Sequence, residues 1–169
     1  MALSRQAVEP YTSQLENLRD DAGYSAQSYF EAAKSAELWG RAIVFVPALL
    51  GALAGVIIAL GGAREWGAIA AVAGAVAATA SFLGSDRKSG SFKESARQFT
   101  KLRHRAAMEL KLASRKASES ELEETLRTLR REYESVVNVS EPVPDRAFRK
   151  AKRRIDSGVL KYERDSTSP

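Results

Sequence analysis

Residues 42–85 contain only two charged side chains, Arg64 and Glu65, which stand together after a Gly–Gly step. No other feature of the chain constrains its fold as tightly. The run Ala42–Ala63 has 22 residues. As a helix at ~1.5 Å per residue it spans roughly 33 Å, a little more than a ~30 Å hydrocarbon core. Trp66–Leu83 spans about 27 Å by the same rule. Length alone would also suit two helices of a soluble core, but the placing of polar groups argues otherwise. The stretch AIVFVPALLGALAGVIIALGGA has no Ser, Thr, Asn or Gln at any angle, whereas a surface helix of a soluble domain carries a polar stripe. A helix apolar all round is centrally buried or lies in lipid, and a chain of 169 residues supplies little material to bury two.

The two stretches differ in strength. The first holds eleven Ile, Val, Phe or Leu residues, together roughly −3 to −7 kcal/mol on an insertion scale. The second holds five, Ile69, Val72, Val76, Phe82 and Leu83, roughly −1.5 to −3 kcal/mol. One Arg at mid-membrane costs about 2.5–3.5 kcal/mol and would cancel the weaker span. Arg64 and Glu65 are therefore expected at a water boundary, with Trp66 as an aromatic anchor and Gly61–Gly62 ending the first helix. Gly51 and Gly55 form a GxxxG, and Ala70, Gly74 and Ala78 repeat a small residue every fourth position. Such rows let helix backbones approach closely in lipid, although Ala and Gly are also simply common there. Pro47 is expected to kink the first span or to mark its entrance.

The flanking segments are charged and helical in pattern. Residues 1–40 carry three basic and six acidic side chains. Tyr11, Leu15, Leu18, Ala22, Tyr29, Ala32 and Ala36 recur close to a heptad, predicting an amphipathic helix that runs almost directly into the first span. Residues 85–169 carry 21 basic and 14 acidic side chains. GSDRKSGS is expected to break the helix after the second span. Ser91–Glu94 fits a capping box opening a new helix, with Phe92, Ala96, Phe99, Ala106, Leu110 and Ala113 on one face. Ser118–Glu121 fits a second, leading Leu122, Leu126, Leu129, Tyr133 and Val136 inward. EPVP stops that helix. A last one follows around Phe148, Ala151 and Ile155 and ends at Ser157–Gly158. No strand is expected.

The resulting fold class is an all-α membrane protein: a two-helix transmembrane hairpin with a cytoplasmic helical bundle from the N- and C-terminal segments. Its expected parts are a cytoplasmic amphipathic helix (1–40) and the hairpin (41–84, spans about 42–62 and 66–83). A cytoplasmic helical segment (85–160) and a disordered tail (161–169) complete it. The turn is neutral, while Arg41, Arg87, Lys88, Lys93 and Arg97 flank the other side, so the Lys/Arg bias puts both termini in the cytoplasm.

Enzyme chemistry finds no foothold in the sequence. With no Cys, thiolate metal sites and disulfides are excluded, and the one His, His104, has no carboxylate or nucleophile at a telling spacing. P-loop, Rossmann, GxSxG and HExxH patterns are absent, so neither catalysis nor a metal or other cofactor is expected. The carboxylates of ESELEE fall on the first turn of a helix, where the dipole favours them. The sharpest charge feature is RAFRKAKRR, with Arg146, Arg149, Lys150, Lys152, Arg153 and Arg154 giving six basic residues in nine. Near a membrane such a patch attracts anionic headgroups. It is equally a solvated positive-inside face, and nucleic acid is the weakest of the three readings.

ASFLGSDRK at the exit of the second stretch, the following KESARQFTKLRHRAAMEL and the Pro-containing EPVPDRAFRKAKRRIDSG, taken with the two apolar stretches, resemble the SLATT family. These are bacterial two-span proteins associated with nucleotide-signalling conflict systems, and the resemblance covers roughly residues 10–160. It implies a multi-pass protein of the bacterial inner membrane. Its role would be that of a non-enzymatic effector, pore-forming or membrane-perturbing, that acts in antiviral defence under a nucleotide-sensing or nucleotide-synthesising partner.

One hairpin cannot enclose a channel, so a pore requires a homo-oligomer among membrane lipids. Gly51, Gly55 and Gly74 are the candidate packing positions, and Thr79 and Ser81 are the only hydroxyls in the spans. The lining would otherwise be apolar, predicting a closed, dewetted constriction at rest. The competing expectation is a non-conducting anchor or scaffold, whose basic cytoplasmic helices recruit a protein, a nucleotide or anionic lipid.

Overall fold

A computed structural model of the chain describes residues 5–63, 65–82, 85–116 and 118–158. Among them all regular structure is helical and there is no strand. The helices are α1 (Arg5–Ala59), α2 (Glu65–Phe82), α3 (Ser85–Leu112), α4 (Glu119–Val139) and α5 (Asp145–Asp156), with a 3-10 turn at Ala113–Arg115. Two compact units result: residues up to Ala32 with those from Ser91 onward, and Ala33–Gly90. One helix, α1, contains a stretch long and apolar enough to cross a membrane; the apolar run Glu65–Ala80 is shorter.

The first unit is a helical bundle with an apolar interior. Leu15, Leu18, Ala22, Tyr29 and Ala32 of α1 are buried, as the heptad pattern predicts. Phe92, Ala96, Phe99, Leu102 and Ala106 of α3 and Leu122, Leu126 and Leu129 of α4 are buried too. Phe99, Leu15, Leu122 and Leu129 are the largest side chains fully enclosed, each stabilising the unit by about 1.5–3 kcal/mol relative to exposure. Aromatic contacts knit three helices: Tyr29 stacks on Phe99 at 5.4 Å between centroids, and Phe99 meets Tyr133 edge-on at 5.5 Å. The polar tips of these rings are satisfied, since Tyr29 Oη donates to the Glu141 carbonyl at 2.9 Å and Tyr133 Oη lies 3.3 Å from Ser25 Oγ.

Local chemistry sets most helix ends. Ser118 caps α4, its Oγ accepting from the Glu121 N–H at 3.3 Å. The prolines of EPVP bring α4 to its end at Val139, and α5 opens after Pro144, whose carbonyl accepts from the N–H groups of Ala147 and Phe148. Gly158, at φ +86°, follows the last turn of α5. The end of α1 is a Schellman motif. Gly61 adopts φ +87°, its N–H bonds to Ile58 O at 3.0 Å, and the Gly62 N–H bonds to Ile57 O at 2.9 Å. A Cβ on Gly62 would lie 2.5 Å from Ile57 Cγ2, so both glycines are required where the chain turns.

One helix start departs from the sequence pattern. Ser91 does not open a helix: α3 begins at Ser85 and runs through Gly90 and Ser91 without a break. Ser89 is buried and its Oγ donates to the Ala33 carbonyl at 3.4 Å. That contact with α1 supports helix across residues whose Ser and Gly content argues against it. Pro47, for its part, lies inside α1 without ending it. Arg64, Leu83 and the tail 161–169, each the subject of a sequence expectation, lie outside the described residues.

Candidate functional site

Two candidate sites arise, one in each unit. In the second unit, the C-terminal part of α1 and α2 are joined by the glycine turn and touch through small residues. A Cβ built on Gly51 would lie 3.6 Å from the Ala70 carbonyl oxygen and 3.7 Å from Ala73 Cβ, ordinary van der Waals distances. Ala54, Ala73 and Ala80 are buried. The large side chains point the other way: Phe45 is 71% exposed, Leu49 52% and Val72 64%. Only 6% of the apolar window in α1 is buried within the protein.

The five packing and pore candidates therefore separate. Gly51 faces α2, where a Cβ built on it would also lie 4.0 Å from the Gly74 nitrogen, but a Cβ on Gly55, its GxxxG partner, or on Gly74 would meet nothing within 4 Å. The reason is angular, since residues four apart step slightly around the helix and a second helix crossing at an angle contacts one more closely than the other. Thr79 is exposed and its Oγ1 donates to the Ala75 carbonyl of its own helix at 2.8 Å, a back-bond that satisfies the hydroxyl without a second helix. The side chain of Ser81 lies outside the described residues.

In the first unit, the basic cluster of α5 is built around a residue that the sequence pattern did not single out. Glu31, on α1, has a side chain only 2% exposed. Arg154 Nη1 donates to its Oε1 at 2.6 Å, Lys150 Nζ lies 3.2 Å from Oε2, and Gln27 Nε2 reaches Oε1 at 3.4 Å. Two of the six cations thus face a buried carboxylate, a division that spacing within RAFRKAKRR does not show. A charge removed from water persists only when paired and hydrogen-bonded, and here the pairing links residues 123 positions apart. A Glu on the apolar face of the amphipathic pattern was the available signal, because Glu31 stands between Tyr29 and Ala32.

Arg146, Arg149, Lys152 and Arg153 are exposed and form no ion pair among the described residues. Phe148 is 48% exposed and meets Tyr24 edge-on at 5.0 Å. Burial, with the Asp156 carboxylate nearby, pushes the Tyr24 hydroxyl above its ordinary value. His104 is exposed on α3. Among the described residues no group of three or more His, Cys, Asp or Glu side chains is placed to hold a metal ion.

A further pairing centres on Lys116, whose Nζ lies 3.2 Å from Glu109 and 3.4 Å from Glu121. Burial opposes its charge, but hydrogen bonds to Glu109 and Glu121 outweigh this and raise its pKa. The arrangement ties the end of α3 to the first turn of α4. A shallow groove nearby, about 390 Å³ in volume and bordered by Tyr11, Glu123, Arg127 and Arg130, is open to solvent. Arg127 is engaged there by Glu123 at 2.6 Å. Comparison with known proteins finds no family model, no curated protein and no solved structure that matches this chain.

Proposed function

We propose that residues 42–82 lie in a bilayer as a helix pair and that the chain is a non-enzymatic membrane effector, assembled from several copies into a pore or a membrane-perturbing oligomer. The observation that carries this reading is the inverted burial of the second unit. Its buried apolar residues are alanines, while Phe45, Leu49, Leu53, Val56 and Val72 face outward. In water such a surface would be a large apolar liability, whereas lipid tails are as apolar as Leu and leave only close packing of small residues to hold helices together. The positive-inside bias gives both termini to the cytoplasm, and the resemblance to the SLATT family supplies the role in bacterial defence and a nucleotide-signalling partner.

In this reading Gly51 and Gly74 serve contact within one chain, and Gly55, open in a single copy, serves contact between copies. The resting pore is a dewetted apolar constriction, opened when the partner displaces the first unit. The test is reconstitution in liposomes with the cognate partner. Dye or ion leakage that Gly55→Ile abolishes supports the proposal, and partner-bound protein that oligomerises without ever leaking defeats it.

A second reading, a non-conducting anchor, is favoured by one specific feature. The Thr79 hydroxyl is spent on its own helix, and between Gly67 and Ala80 the other described side chains of α2 are all apolar. The same liposome assay separates the two, since an anchor binds its partner with no change in permeability.

A further inference from the structure

The six basic residues of α5 divide by what they touch. Lys150 and Arg154, one turn apart, converge on the buried Glu31. At about 100° per residue, Ala147, Ala151 and Arg154 lie toward the bundle, and Arg146, Arg149 and Arg153 cluster on the opposite arc, flanked by Lys152. Asp145 and Asp156 lie on that outer arc as well, one at each end of the helix. Four cations against two carboxylates leave the arc basic.

Apolar packing does little to fix which arc of α5 faces out. Its buried residues are Ala147 and Ala151, which offer one methyl group each, and Phe148 stays half outside. Ion pairs are directional where methyl contacts are not, and a buried carboxylate left without its cations is strongly disfavoured. The pairing of Glu31 with both Lys150 and Arg154 therefore sets the rotation of α5 about its axis. The remaining four cations form no ion pair among the described residues, yet they are held together on one side.

We propose that this outer face is a docking surface for anionic phospholipid headgroups. Arg146, Arg149, Lys152 and Arg153 bind the lipid phosphates, and Glu31 is the positioning residue that aims them. The occupant follows from charge complementarity and from tethering. Guanidinium forks match phosphate oxygens in two-point contacts. A helix on the same chain as a bilayer-inserted segment meets headgroups at an effective concentration that a free polyanion does not reach. This inference rests on the membrane reading of residues 42–82, because that segment is what brings the headgroups into range.

The experiment uses the full chain in nanodiscs, comparing phosphatidylcholine alone with phosphatidylcholine plus phosphatidylglycerol, and reads hydrogen exchange of the α5 amides. Exchange is expected to slow by about tenfold or more with the anionic lipid, from several basic residues each attracted to the surface, and to revert when salt is raised. The quadruple variant R146Q/R149Q/K152Q/R153Q keeps the melting temperature and loses the lipid dependence. Glu31→Gln keeps the four outer cations yet lowers the lipid dependence, and Glu31→Asp restores part of it. Equal exchange in both lipids, or an unchanged lipid dependence in the quadruple variant, overturns the proposal. So does protection by short duplex DNA in phosphatidylcholine discs with none from phosphatidylglycerol. Protein that inserts into neither disc defeats the membrane reading itself and this proposal with it, an outcome seen before any lipid comparison is made.

Discussion

The two units of this chain solve opposite packing problems. The first encloses Phe99, Leu15, Leu122 and Leu129 and turns its charges outward. The second encloses alanines and leaves Phe45, Leu49, Val56 and Val72 uncovered. In water, large side chains stabilise a contact because their burial releases hydration, at about 25 cal/mol per Å². Where the surroundings are already apolar that gain vanishes, and small residues that let backbones approach become the better interface. Under the proposed membrane placement of residues 42–82, equal exposure of a hydrophobic residue means different things in the two units.

Leu49 and Met108 put this contrast to its hardest test, because both are 52% exposed. Leu49→Arg adds about 2.5–3.5 kcal/mol of insertion cost and is expected to remove the protein from the floating fraction of a vesicle gradient. Met108→Arg, on the first unit, is expected to change stability by less than about 0.5 kcal/mol and to leave flotation intact. If Leu49→Arg floats like the parent, the two units do not differ as argued.

Next in size are changes to the first unit's interior. Phe99→Ala removes the ring that Tyr29 and Tyr133 contact and should cost about 3–5 kcal/mol, read as a lower melting temperature by circular dichroism. The double variant Lys150→Ala/Arg154→Ala leaves Glu31 buried without its cations, again a loss of about 3–5 kcal/mol. Glu31→Gln should cost less, since Lys150 and Arg154 are 61% and 45% exposed and can turn to water. A Glu31→Gln variant less stable than the double Ala variant would contradict the buried-carboxylate account. Ser118→Ala, which deletes the α4 cap, ranks below these at about 0.5–2 kcal/mol.

The smallest effect is the pH response. Burial raises the Tyr29 hydroxyl above its ordinary 10.0. Lys116 is raised above 10.5 in spite of burial, through Glu109 and Glu121. Both folded values exceed the unfolded ones, so each contribution is whole below the unfolded value and is lost as pH rises through the folded one. The first unit's melting temperature should therefore begin to fall above pH 10.0, and Tyr29→Phe with Lys116→Met should flatten that decline.

Much of the helical plan was legible beforehand because its signals are local. The heptad-like spacing named Leu15, Leu18, Ala22 and Tyr29, all of which are buried. Ser118 caps α4 as its spacing with Glu121 requires, and Gly61–Gly62 ends α1. The capping box at Ser91 misled for an instructive reason. Its spacing is equally local, but Ser89 docks on Ala33 and helix persists across the pattern. The α5 cluster was visible as charge but not as two sets of charge, because spacing within a helix does not say which side meets a carboxylate on another.

The order of residues by itself determined where charge is absent, where helices start and stop, and which faces are apolar, since these follow from side-chain chemistry within a turn or two. Only the tertiary structure decided that Glu31 is enclosed and held by Lys150 and Arg154, that Gly51 meets α2 while Gly55 does not, and that Ser85–Gly90 continue α3. Those outcomes depend on surfaces brought together from distant parts of the chain, where packing and desolvation outweigh the preferences of any single turn.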